Sequence, residues 1–391
     1  MVDRPLDDMT TVERIEDLEG FRRIREAWDD LLADSDADVP FLTWEWLYTW
    51  WTHLSLGRRL CILAVRRGGT LVAIAPLAAR RRGLSGLLTL PTLEFLGTGH
   101  VGSDYLDLIV RRGHEAIATQ ALAEHLDRGD LALELGQLRK DGCAARELAG
   151  RLRLRGWRLS DQAADVCPYA RLAGHTWGSY LEGLGSSHRY NFRRRLRNLS
   201  KRFEVRMERA TSPGERHQAL ELLIAMHNQR WSERGGSNAL HTPSLVAFHR
   251  EIVGRSSERG WLRLLVLWLD DRPVASLYGF MYRRVFYFYQ AGFDLEHRKD
   301  SVGLVTMGLA VKSAIEEGAE EFDMLHGSEE YKFRWTREVR ALEKLDLYPP
   351  HARGALSRGA VELGRNARRL ARRLLPRALP ARIRHGGDGA A

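Results

Sequence analysis

The chain has little of what staples, metallates or anchors a protein. Its three cysteines, Cys61, Cys143 and Cys167, stand far apart with no C-x-x-C pair, which argues against a disulfide framework or a structural zinc site. No run approaches the roughly 18 apolar residues of a membrane-spanning helix. The acidic start MVDRPLDDMTTVERIEDLEGF lacks the basic flank and apolar centre of a secretion signal, so the expectation is a cytoplasmic protein. There is no G-x-S-x-G elbow, no H-E-x-x-H helix and no G-x-x-x-x-G-K phosphate loop. These absences favour chemistry by direct attack, with no metal and no covalent enzyme intermediate. Lysine is missing from 351–391, where ten arginines face only Glu362 and Asp388 and supply +8 of the net +9. The basic character therefore belongs to the tail, and nucleic acid is not an expected partner of the body.

What is present suffices for two domains: 391 residues, 44% of them hydrophobic. Residues 13–33 repeat Ile15, Leu18, Phe21, Ile24, Trp28 and Leu31 at helical spacing. Thr43 is placed to cap a helix carrying Trp44, Leu47, Trp50, Trp51 and Leu54, an aromatic face for core packing or for sugar stacking. A hairpin from Leu60 leads into LEFLGTGHVGSDYLDLIV (93–110), where Gly97, Gly99 and Gly102 spell G-x-G-x-x-G. A dinucleotide turn hands a strand over to a helix, whereas 103–110 alternates and predicts a second strand. A nucleotide site of that kind is therefore not expected.

Helices over 115–126 and 144–153, with strands over 131–138 and near 157–159, complete the first half. The second half predicts helices at 187–202 and 214–234, three strands within 261–294, a helix from Val302 to Glu317 stopped by Gly318, and a strand over 320–327. Hairpin, strand, helix, strand occurs twice, which predicts a duplicated mixed α/β fold.

The stretches FYQAGFD (288–294), SVGLVTMGLAVKSAIEEGAEEFDMLHGSEEYKFRW (301–335), MHNQRW (226–231) and SSHRYNFRRRLRNLSK (186–201) resemble the CelD/BcsL-type acetyltransferases of polysaccharide-biosynthesis clusters. Those belong to the GNAT superfamily, and their tandem arrangement is similar to that of FemAB-type peptidyl transferases. The resemblance implies two GNAT-like domains (1–170 and 171–348), each a mixed, mostly antiparallel sheet flanked by helices, followed by a basic tail (349–391). It also implies acetyl-CoA or another acyl-CoA as co-substrate and a small-molecule or glycan acceptor. Aminoacyl transfer from charged tRNA, or a non-catalytic binding role, are the alternatives. Superfamily members hold the cofactor pyrophosphate on (Arg/Gln)-x-x-Gly-x-(Gly/Ala); the matching HRKDSVGL has Gly303 as its only glycine. Ser301, Val302 and Gly303 are then the backbone donors at a helix start, with Arg298 and Lys299 adding charge.

On that reading the strand 285–291 runs beside the donor, with Tyr289, Gln290 and Ala291 pairing with its arm and polarising the thioester; the same strand can instead be buried on both faces. Asp323 is expected to be buried, hence paired or acting as a base. Tyr331 is the candidate general acid, Glu330 a candidate base and Lys332 a substrate contact. His227, Arg230 and Trp231 share a helix face that either clamps the acceptor, with His227 as base, or simply ends the helix. Arg189, Arg193 and Arg197 form a row that holds an anion or is solvated. In the tail, Leu356, Ala360, Leu363, Ala367, Leu370 and Leu374 predict a basic amphipathic helix suited to an anionic membrane surface, to the protein's own body or to nucleic acid.

Overall fold

The computed structural model describes residues 9–82, 90–232 and 240–351. The first half runs β1 (Thr10–Ile15), α1 (Leu18–Arg23), α2 (Arg25–Ala33), α3 (Trp44–Leu54), β2 (Arg58–Arg67), β3 (Thr70–Arg82), β4 (Leu90–Phe95), β5 (Ile109–Val110), α4 (Glu115–Asp127), β6 (Ala132–Arg139), α5 (Ala144–Leu154) and β7 (Arg158–Arg171). After α6 (Trp177–Gly183) and α7 (Ser186–Ser200) come β8 (Val205–Arg209), α8 (Pro213–Ser232), α9 (Pro243–Glu258), β9 (Leu262–Leu269), β10 (Arg272–Tyr282), β11 (Val285–Phe293), α10 (Val302–Glu316), β12 (Glu321–Asp323) and β13 (Glu338–Tyr348).

Among the described residues the strands join in one sheet, ordered β1-β2-β3-β4-β6-β13-β7-β12-β11-β10-β9-β8, with β5 on β3. The pairing sense is the same from either edge. Three antiparallel pairings lead to a parallel one, β4 with β6 and β11 with β12. Each half then takes its next strand from the other: β13 lies beside β6 and β7 beside β12. β7 and β13 pair antiparallel from Arg158–Tyr348 to Tyr169–Glu338, so the exchange welds the halves at the centre. The duplicated, mostly antiparallel α/β fold read from the sequence is what is seen, and β7, which ends at Arg171, is the strand the first half lends to the second.

α3 packs against α9 of the second half, which sets Trp46 between the halves. Trp46 meets Phe248, Phe280 and Tyr289 edge-on at ring separations of 5.0, 5.7 and 5.7 Å. The indole N–H groups of Trp44, Trp46 and Trp50 reach Phe21 O, Ser103 Oγ and Thr98 O, so these rings are buried without leaving a donor unmet. Their role is core packing.

Several expectations need correction. Residues 13–33 hold the end of a strand and two helices broken at Ile24, rather than one helix. Of 103–110 only Ile109–Val110 is strand, because Asp104 and Asp107 turn inward to bind backbone N–H groups and Tyr105 adopts φ 60. The strand expected over 320–327 stops at Asp323, where Leu325 turns to φ 55. The strand near 157–159 extends to Arg171, and α6, α9, β8 and β13 were not read from the sequence. The basic tail helix lies outside the described residues. No described helix is long and apolar enough to cross a membrane.

Candidate active site

β11 and β12 pair over only three residues, Val285–Tyr287 against Glu321–Asp323. Beyond that point β11 continues beside β10 to Phe293, while the chain after Asp323 turns away, its Leu325 N–H donating to Asp323 Oδ1 at 2.8 Å. A fork opens, and a cavity of about 170 Å³ lies in it. Phe288, Tyr289 and Gln290 form one wall; Met324, Leu325, His326, Glu329, Tyr331 and Lys332 form the other. His100, Val101 and Gly102 from the first half, with Leu240 and His249, close it. On β11 the Ala291 N–H is taken by its neighbour Gln290 Oε1 at 3.1 Å, a local bond that a ligand carbonyl can replace.

The same strand leads to the helix that starts at Val302. A short 3-10 turn (Leu295–Asp300) ends at Ser301, which sits at φ 60, ψ 36 and caps α10 with no side-chain hydrogen bond. Arg298-x-x-Ser301-x-Gly303 thus keeps the superfamily spacing, with serine in the left-handed conformation that glycine ordinarily supplies. The first N–H groups of α10 are left for an anion. Gly303 has a packing role, since a Cβ there would stand 3.2 Å from the Phe293 ring. Arg202 and His297 hold the Asp300 carboxylate below its usual range against the opposing push of burial. These features fit the diphosphate arm of an acyl-CoA.

An ordered acid–base pair, unread in the sequence, stands in the cavity wall. Asp104 is fully buried and accepts the backbone N–H of His326 at 2.8 Å, its ring Nδ1–H at 2.9 Å and the Gln137 amide at 2.9 Å. The hydrogen bond to Asp104 raises the His326 pKa, outweighing burial and Lys332. A Cβ on Gly102 would lie 3.4 Å from His326 Cε1. The last glycine of the G-x-G-x-x-G run is therefore part of this site. His249, also in the wall, is pushed down to about 3 by burial and stays neutral.

Of the residues singled out from the sequence, the fold brings Tyr289, Gln290, Tyr331 and Lys332 together at the cavity. Tyr331 is partly exposed there. Lys332 is 4% exposed, and its ammonium donates to Leu325 O, His326 O and Glu329 at 3.2, 2.6 and 3.1 Å; it fixes the turn that carries His326. Asp323 lies behind the wall, accepting from Tyr105 OH at 2.7 Å and Arg340 at 3.1 Å, with burial pushing it up to about 6. Glu330 faces outward onto Arg334. His227 is buried on α8, where that helix crosses β11 at Gly292, and is not in the cavity wall. Arg189 and Arg193 are both engaged with Glu182. The side chains of Arg230 and Trp231 lie outside the described residues.

Residues 186–333 match the family model described as an acetyltransferase (GNAT) domain. No curated protein matches the chain in sequence. Among solved structures it is similar to FemX, at 11% identity and a TM-score of 0.57 over 85% of this chain and 96% of that one. A conserved protein of unknown function from Bacteroides thetaiotaomicron VPI-5482 is similar at 11% and 0.53, covering 86% and 99%. L-PGS from Bacillus licheniformis is similar at 11% and 0.50, covering 88% and 96%. At such identities these likenesses establish the fold. The matched acetyltransferase (GNAT) domain is what supports an acyltransferase.

Proposed function

We propose that the protein moves a short acyl group, acetyl in the simplest case, from coenzyme A to an amine or hydroxyl of a cell-envelope or exopolysaccharide sugar. The observation that carries this reading is the fork between β11 and β12, followed directly by the uncapped start of α10 in an Arg-x-x-Ser-x-Gly setting. The fork offers free strand edge to an amide-bearing arm, and the helix start offers N–H groups to a diphosphate. When bound, the cofactor supplies an activated thioester; the chain's residues orient it and manage protons. A cavity of about 170 Å³ is close to the roughly 150 Å³ that holds a benzene-sized molecule, which supports a short acyl group over a fatty one. The sugar acceptor rests on the CelD/BcsL resemblance.

Charged tRNA as donor is the second reading, and the FemX likeness in fold favours it. Incubation with radiolabelled acetyl-CoA and a panel of amino sugars and envelope saccharides separates the two. Label transfer insensitive to RNase supports the first. No transfer, together with RNase-sensitive transfer from aminoacyl-tRNA, replaces it with the second.

A further inference from the structure

Acyl transfer to an amine or hydroxyl needs a group that removes the acceptor's proton as it attacks. Among the cavity-wall residues, His326 has its ring orientation fixed by a carboxylate. Asp104 accepts both the ring Nδ1–H and the main-chain N–H of the same residue, and Gln137 occupies its other oxygen. With Nδ1 committed as a donor, Nε2 is left with the lone pair. Lys332 grips the carbonyls of Leu325 and His326, and Gly102 leaves room for the ring edge.

Three other titratable groups at or behind the cavity wall are disfavoured. Asp323 is held by Tyr105, Arg340 and Leu325 N–H, and Glu329 by Lys332. His249 stays neutral over the working range.

We propose that His326 is the general base for acceptor activation and that Asp104, delivered by the first half's 96–108 loop, is its positioning residue. This rests on the acyl-CoA reading above. In the step, Nε2 takes the proton of the acceptor O–H or N–H as that atom bonds to the thioester carbonyl carbon. The C–S bond then breaks, and the departing thiolate takes the proton back from the imidazolium, giving acylated acceptor and free CoA. The first half thereby does more than scaffold: the loop after its β4 completes the site in the second half.

The charges acting on His326 are Asp104 and, more weakly, Asp165, which favour the protonated ring, and Lys332, which opposes it. Turnover therefore rises with pH through a midpoint above the ordinary histidine value of about 6.5.

The test uses the full chain, acetyl-CoA as donor and glucosamine or water as acceptor. CoA release is followed from pH 5 to 9, and acetyl-CoA affinity is measured separately by calorimetry. His326→Ala and His326→Gln are expected to lower kcat about a hundredfold with acetyl-CoA affinity within twofold of wild type. Asp104→Asn is expected to lower kcat and shift the midpoint downward, a change that mere loosening of the fold does not produce. Unchanged turnover in both His326 variants overturns the proposal, as does a wild type that binds acetyl-CoA but releases CoA no faster than they do. A wild type that fails to bind acetyl-CoA overturns the donor reading and this assignment with it, and it shows in calorimetry before any variant is compared.

Discussion

The Tyr105 hydroxyl donates to Asp323 Oδ2 at 2.7 Å across 218 positions of chain, joining the first half's loop to the end of β12 three residues before His326. Both groups are buried. Tyr105→Phe removes one donor from a buried carboxylate and should cost about 1.5–3 kcal/mol of stability. Chemical unfolding at neutral pH measures this. A variant as stable as wild type would mean that the bond does not tie the halves together.

Lys332→Met keeps the buried stem but leaves the carbonyls of Leu325 and His326 without their ammonium. Each unmet buried carbonyl costs about 1–3 kcal/mol. The variant should be destabilised and slowed in turnover, with acyl-CoA affinity nearly retained, because the turn bearing His326 loosens while α10 is untouched. Comparing kcat with acyl-CoA affinity checks this; a loss confined to affinity would place Lys332 in donor binding instead.

Ser301 pays for its left-handed backbone, which costs a residue with a Cβ about 1–2 kcal/mol. Ser301→Gly relieves that strain but frees the unfolded chain, so stability should stay level or rise by up to ~1 kcal/mol. Ser301→Val should lose about 2 kcal/mol or more, since a β-branched residue resists φ 60. Thermal unfolding of the two variants gives the comparison.

Burial pushes Asp107 up to about 6, although the N–H groups of Ala145, Ala144 and Leu108 favour its anion. The unfolded value is about 3.9, so the folded chain holds the extra proton between the two. That contribution to stability is present in full below about pH 4 and is lost as pH rises through about 6. Asp107→Asn lacks the titration, so the stability gap between wild type and variant should narrow from pH 5 to pH 7. A gap that widens instead would show that the three N–H donors outweigh burial.

The strands β9 to β11 and the helix α10 were legible because their apolar runs and periodicity are local properties. β13 was not: in Glu338–Tyr348 the pairs Ala341-Leu342 and Glu343-Lys344 break the alternation, and the segment is a central strand by pairing with β6 and β7 from the other half. The geometry of the candidate site was hidden for the same reason. Asp104 and His326 are 222 positions apart, and no spacing rule joins them. The nearest signal was the glycine run before Asp104. It marks a sharp turn, with positive φ at Gly97, Gly99 and Gly102, but does not show where the turn leads. Asp323 was read as buried and paired or basic, and it is buried and paired; Lys332 was read as a substrate contact, and no local signal shows that its ammonium holds the turn after β12.

Calorimetric titration of acetyl-CoA into the full chain and into Ser301→Asp tests most directly whether α10 and the fork hold the donor. Aspartate tolerates the left-handed backbone and suits a helix start, so the variant should fold while placing a negative charge where the diphosphate belongs. One acetyl-CoA per wild-type chain is expected, with affinity at least tenfold weaker in the variant. Equal affinity in the two proteins, or no binding to the wild type, would contradict a donor site at the start of α10.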